Sequence, residues 1–570
     1  MQHPHRPFVS RRDFMRRSAT VGLLTASGPF LWRQLAHAQE APVEQVHAQF
    51  GADAATQAAF SWMTPAAVAT PFLQLGEQRL PATTIQYEGY PGYFHHVRVD
   101  DLLPSTDYTY GIGHGDTIRR EGFSYRTGPA PGTPFTFTAF ADQGTDFLGG
   151  DLTQVQDFDP TTLQTIAKGA DQQPPFQATR NRDLAYSFDP VFHLVGGDTS
   201  YANGNQDVWD EWFRGYEQYA ASRPVMPAIG NHEIEVQGVG VSGFGTGDSW
   251  GPLGYDAYRH RFALPVNGDR EWEGCWYRFR YGSVEFISLD NNDVNTEVTA
   301  NIGYSEGRQE AWAAEALRAA HEDETCDFII VMMHQAAFST GLHGSDQGVR
   351  DAWFELFATY DVDLVLQGHD HQYERTHMMV RDEVALAAEG DYVTDIGTMY
   401  VVCGNGGAVQ RPQNPLPNEF PWQAAKSVFT VGTVKVDVVP DTGSGTKRLV
   451  LGEYSVTTGG PVEEGIVIER TRQNAAQPVP TPTPEATAIP TPTPTPAPTT
   501  GAGGGSTTGQ SQIGQPSTTT VLPATGGPAG IGMVGVSALG AAAATTAWVR
   551  GRKDEEVQEL RGQRGAAEEE

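Results

Sequence analysis

At 570 residues and 61.8 kDa the chain is longer than one ordinary domain, and two folded domains are expected. Its 38 Lys and Arg against 69 Asp and Glu leave a net charge of -31, which would repel a phosphate polymer and argues against nucleic-acid binding. Three cysteines, Cys275, Cys326 and Cys403, allow at most one internal disulfide, so a packed core must hold the fold.

The chain opens with Ser10-Arg11-Arg12-Asp13-Phe14-Met15, an apolar stretch from Ala19 to Trp32, and Ala36-His37-Ala38 as a small-residue cleavage site. This order resembles a twin-arginine export signal over residues 1–38, a route that carries proteins already folded and metal-loaded. The apolar run is short and interrupted by Pro29, which disfavours a membrane-spanning anchor. Residues 42–129 show short β-like runs broken by Gly and Pro, without helical periodicity, and read as an all-β sandwich. Within it, Leu103-Pro104-Ser105-Thr106-Asp107-Tyr108-Thr109-Tyr110 is similar to the fibronectin type III pattern, in which a corner tyrosine bonds back to the backbone. A spacer without chemistry of its own is expected there.

Residues 134–471 alternate apolar runs with amphipathic stretches, the pattern of an α/β domain. Strands are expected at 135–140, 190–195, 284–289, 327–331, 362–366 and 399–402. Trp209, Trp212, Phe213, Tyr216 and Ala220, and again Trp353, Leu356, Phe357 and Tyr360, fall at helical spacing and read as core-facing stripes. The segment 145–186 is rich in Pro, Gln and Asp and is expected to be a long surface loop that could cover a substrate. Residues 472–521, Thr/Pro-rich and then Gly/Ser/Thr-rich, cannot bury a core and form a stalk. Over 522–570 come Leu522-Pro523-Ala524-Thr525-Gly526, an apolar segment 530–549, and Arg550, Arg552 and Lys553. That order resembles a sortase sorting signal, which implies sortase and the cell wall as partners. The tail beyond Lys553 is longer and more acidic than such signals, which keeps a plain transmembrane anchor as the alternative.

Five short blocks close apolar runs: Asp142-Gln143-Gly144, Gly197-Asp198-Thr199-Ser200-Tyr201, Gly230-Asn231-His232-Glu233, Val331-Met332-Met333-His334 and Gly368-His369-Asp370-His371. So many ionisable groups at strand ends point to a binuclear metal site. The blocks, together with Gln372-Tyr373-Glu374-Arg375, resemble those of the purple acid phosphatases within the metallophosphoesterase superfamily. The resemblance implies an α/β metallophosphoesterase domain, a β-sandwich of mixed sheets flanked by helices, behind a fibronectin type III-like sandwich. It places Asp142, Asp198, Tyr201 and His371 on a first metal, and Asp198, Asn231, His334 and His369 on a second.

Two carboxylates and a phenolate are hard anionic donors suited to Fe(III), whereas imidazoles and an amide suit Zn, Fe(II) or Mn. Such a pair activates a hydroxide and clamps phosphate oxygens. His232 would contact the phosphoryl group. His343 matches a proposed proton donor of the family, though Gly341, Gly344 and Ser345 around it also suit a solvated turn. Asp142-Gln143-Gly144 would equally make a good turn. His95, His96 and His193 match no block and read as structural, and Cys403 as a buried thiol. The expected protein is an exported, surface-tethered acid phosphatase acting on small phosphate monoesters. The rivals are a phosphodiesterase, a nucleotidase, or a non-catalytic surface protein, and the last is disfavoured because no ligand is lost.

Overall fold

The computed structural model describes residues 41–86, 90–145, 177–202, 206–234, 255–408, 420–427, 430–441 and 445–471. The export signal, the stalk, the sorting signal and the apolar segment 530–549 lie outside the described residues, as does 146–176 of the expected surface loop. Among the described residues no helix is long and apolar enough to cross a membrane.

The first part is a sandwich of two antiparallel four-stranded sheets. One runs Glu44–Phe50, Ala58–Thr64, Tyr93–Val99, Thr83–Ile85 in spatial order, the other Gln78–Pro81, Phe72–Leu75, Asp107–His114, Thr117–Arg126. The Tyr108 hydroxyl accepts the backbone N–H of Leu103 at 2.9 Å, closing the corner expected from the sequence.

The second part packs two seven-stranded sheets face to face. The first has the order Val225–Ala228, His193–Gly196, Phe135–Phe140, Gly432–Val439, Lys447–Ser455, Pro461–Arg470, Asp391–Val393. The second runs Tyr277–Tyr281, Val284–Ser288, Phe328–Met332, Leu364–Gln367, Met399–Cys403, Tyr373–Thr376, Gln423–Ser427. Parallel pairing joins the first three strands of one sheet and Val284–Ser288 through Met399–Cys403 of the other. Strands buried on both faces favour apolar runs, which Phe328–Met332 has throughout and its neighbours have in large part. The aromatic stripes become the inner faces of helices Gln206–Ala220 and Gln347–Thr359. All three cysteines are buried and unpaired.

One expectation needs correcting. The end of the 145–186 segment is not loop but helix Ala178–Ser187, which the buried Asn181 anchors by donating 2.7 Å hydrogen bonds to the carbonyls of Gly406 and Gly432. The two folded parts pack against each other within one compact unit. Phe50 of the sandwich is wholly buried against Phe192, Phe279 and Tyr281 of the larger part, a contribution of about 2 kcal/mol from one ring.

Candidate metal centre

Every candidate ligand block sits just beyond the carboxyl end of a parallel strand. Phe135–Phe140 leads to Asp142, His193–Gly196 to Asp198, Val225–Ala228 to Asn231, Phe328–Met332 to His334, and Leu364–Gln367 to His369 and His371. Open α/β sheets leave their crevice at this edge. The turns are tight enough to force left-handed backbone on non-glycine residues, with φ of 58° at Asp142, 48° at Asp198, 55° at Tyr201 and 73° at His369. Each such conformation costs about 1–3 kcal/mol and concentrates at functional sites. A side chain on Gly230 would place its Cβ 2.1 Å from Asp198 Oδ1, so only glycine lets these two turns meet.

Two donor groups result. Tyr201 donates its hydroxyl to Asp142 Oδ1 at 3.0 Å and stands 2.8 Å from His371 Nε2, which lies 3.4 Å from the same Asp142 oxygen. Next to it, His334 Nε2 is 3.2 Å from Asp198 Oδ1, 3.1 Å from Asn231 Oδ1 and 3.9 Å from Asp142 Oδ1. One ligand atom each from Asp198, His334 and His369 fall within 4.8 Å of one another. Donors bound at about 2.0–2.3 Å to one ion stand roughly 3–4 Å apart, a spacing that the Tyr201, Asp142 and His371 atoms and the Asp198, Asn231 and His334 atoms approach. The sequence-predicted ligands are all buried here.

The charges fit cations. Burial opposes ionisation of Asp198, yet the neighbouring His334 and His232 hold its carboxyl well below the usual range. Burial likewise disfavours the His334 imidazolium, but Asp198 and Asp142 outweigh it and push that residue up to about 10. His334 therefore keeps a proton where a metal ligand would need a lone pair, and an ion bound there would have to release it. His334 Nδ1 bonds the Gly196 carbonyl at 2.9 Å, which leaves Nε2 for the ion.

His232 is buried, packs its ring 4.5 Å from that of Tyr201, and brings Nε2 within 3.7 Å of Asp198 Oδ2. His343 is not a solvated turn residue, because its side chain keeps only 10 % exposure and its ring lies 4.0 Å from that of His369. Asp370 fixes the loop bearing it, accepting from the backbone N–H of His343 at 2.9 Å and Gly344 at 3.1 Å, and from the Ser339 hydroxyl. Glu233 clamps two blocks together by accepting from the N–H groups of Asp198, Thr199 and Gly230, and burial followed by the charge of Asp198 raises it to about 7. Asp370 and Glu233 lie inside the ligand blocks, where position alone marked them. Glu297, which accepts from His343 and His369, carries no motif at all.

His95, His96 and His193 are far from this centre in role. Each is buried, bonded to a Ser or Thr hydroxyl and lowered by that burial. Cys403 is buried, and the turn after it reaches the centre, since a Cβ on Gly404 would meet Asp142 Oδ2 at 2.8 Å.

Family models for the purple acid phosphatase N-terminal domain and for calcineurin-like phosphoesterases match residues 43–127 and 147–373. An uncharacterized protein of Mycobacterium tuberculosis is 32 % identical over 81 % of this chain and 95 % of its own length. Probable inactive purple acid phosphatase 27 of Arabidopsis thaliana is 27 % identical over 68 % of this chain and 60 % of that one. The Fe(3+)-Zn(2+) purple acid phosphatase 12 of the same plant is 24 % identical over 64 % and 72 %. The solved structure of a purple acid phosphatase from yellow lupin seeds shares the fold, with a TM-score of 0.58 at 21 % identity over 76 % of this chain and 74 % of that one. The chain belongs to the purple acid phosphatase-like metallophosphoesterases.

Proposed function

We propose that the protein is an acid phosphatase that hydrolyses small phosphate monoesters at a binuclear centre, with Fe(III) in the first position and Zn, Fe(II) or Mn in the second. The observation that carries this reading is the intact donor set, converging and buried, in a family where some relatives bear the name inactive. Asp142, Asp198, Tyr201 and His371 would hold the first ion, and Asp198, Asn231, His334 and His369 the second. Bound there, the ions supply Lewis acidity and generate a nucleophile from water in mildly acidic solution. The chain itself does the rest. Asp198 brings the two positions together, His232 lies beside it to orient the phosphoryl group, and His343 supplies the proton that the leaving alkoxide needs. Metal analysis of purified protein with a panel of mono- and diesters tests this: about two ions per chain and preference for monoesters are expected, and absence of bound metal or preference for diesters overturns it.

We also propose export and tethering to the cell surface, which the composition of 1–38 and 472–570 supports. Mass spectrometry of surface protein should find no peptide beyond Thr525. Peptides past Gly526 would replace the wall linkage by a membrane anchor.

A further inference from the structure

Glu297 stands outside every ligand block, on the loop that follows strand Val284–Ser288, yet its carboxylate spans the two histidines at the edge of the centre. One oxygen accepts from His343 Nδ1 at 2.5 Å, the other from His369 Nε2 at 2.8 Å. We infer that Glu297 is a positioning residue that sets both the second-metal ligand His369 and the proton donor His343. The inference rests on the phosphatase reading above.

The chemistry follows from the atoms. An imidazole carries one N–H when neutral, and the nitrogen that donates it cannot bind a metal. By taking the Nε2–H of His369, Glu297 leaves Nδ1 with the lone pair, and the same carboxylate makes the ring a stronger donor to a cation. By taking the Nδ1–H of His343, it leaves Nε2 as the nitrogen through which a proton can pass to a leaving alkoxide.

The loop is built to present it. Thr296 donates its N–H at 2.9 Å and its hydroxyl at 3.0 Å to Asp346, the residue that caps helix Gln347–Thr359. Val298 N–H bonds Asn295 Oδ1 at 2.7 Å, and Asn291 donates to the Gln335 carbonyl while accepting from Trp353. With its neighbours held on both sides, Glu297 reaches the histidines from a fixed base although its side chain is 39 % exposed.

The test is Glu297→Gln, which keeps the length but offers one acceptor oxygen in place of two. In the purified holoenzyme we expect the affinity for the second metal, read by chelator competition and elemental analysis, to fall about 10–100-fold. The absorbance of the first site should not change. The ratio of kcat on alkyl to nitrophenyl phosphate should fall at least about tenfold, a part of the about 10²–10⁴-fold that a general acid contributes. In a His343→Ala background the same substitution should still weaken the metal but no longer move that ratio. Unchanged metal affinity or an unchanged ratio overturns the inference, provided the wild type binds two ions and hydrolyses monoesters. If the wild type does neither, it is the phosphatase reading that fails. Loss of a third equivalent of metal with the second held normally also overturns it, in favour of a separate cation site made by Glu297, His343 and His369. Because the side chain is partly exposed, an unchanged melting temperature should show that the variant folds.

Discussion

Tyr201 Oη stands 2.8 Å from Nε2 of His371, so a phenol and an imidazole from turns 170 residues apart meet over the same carboxylate oxygen of Asp142. A phenolate bound to Fe(III) produces a visible charge-transfer band, and this is the tyrosine placed to do it. Purified protein should therefore be coloured, and Tyr201→Phe should lose the colour while keeping the fold, since only one oxygen is removed. Absorbance is the sharper measurement than rate, because a divalent ion in the first position can sustain turnover without a phenolate. An active, metal-replete wild type with no visible band would remove Tyr201 from the metal.

Much of this was legible because five of the parallel strands are largely apolar and run straight into a candidate ligand, so the end of the strand and the start of the chemistry coincide, as at Met332 and His334. The corner tyrosine, Tyr108, was legible for a similar reason: local spacing sets its bond to Leu103. Helix Ala178–Ser187 was hidden because Asn181 and Arg182 interrupt the face it buries, between Ala178 and Ala185-Tyr186. Its stability comes from carbonyls more than 200 residues away, which no local window contains. Glu297 was hidden more completely. It is one acid in a polar loop, and only the third dimension sets it between His343 and His369.

His343 lies beside His369 with little exposure, which suits a proton donor whose substrate enters from that side. His343→Ala should cost about 10²–10⁴-fold in kcat on alkyl phosphates and much less on nitrophenyl phosphate, whose leaving group needs no proton. Steady-state kinetics on both esters provides the check. Equal losses would exclude His343 as the donor.

Arg261 joins the two folded parts as a buried charge. Its Nη1 bonds Asp210 at 2.8 Å and Gln45 of the sandwich at 3.2 Å, while Asp210 also accepts from Gln45 and from the Tyr90 hydroxyl, which stands 2.9 Å from each of its carboxylate oxygens. Removing one partner of such a pair leaves the other desolvated and typically costs about 3–5 kcal/mol. Arg261→Ala should lower stability by that much in urea unfolding, whereas Arg261→Met with Asp210→Leu should restore much of it by packing among Tyr90, Phe94 and Trp209. If Arg261→Ala unfolds like the wild type, the ion pair does not hold the interface.

His96 makes stability at low pH a separate matter from activity at low pH. It is a neutral histidine in a fully satisfied setting, with Nε2–H given to the His260 carbonyl at 3.0 Å and Nδ1 taking the Ser61 hydroxyl at 2.8 Å. Burial first, and then the nearby charge of His47 and Arg98, push it down to about 3, against about 6.5 in an unfolded chain. Between those values the unfolded chain binds the proton and the folded chain does not, so stability rises with pH. The contribution is complete above about pH 6.5 and is lost as pH falls toward the folded value, reaching about 3 kcal/mol by about pH 4. His96→Gln, which can still donate to the His260 carbonyl, should lower stability at pH 7 yet flatten its fall between pH 6.5 and 4. Melting curves of both proteins across that window measure the difference in slope. Parallel curves would mean that His96 is already protonated in the fold or that its surroundings open to water before it titrates.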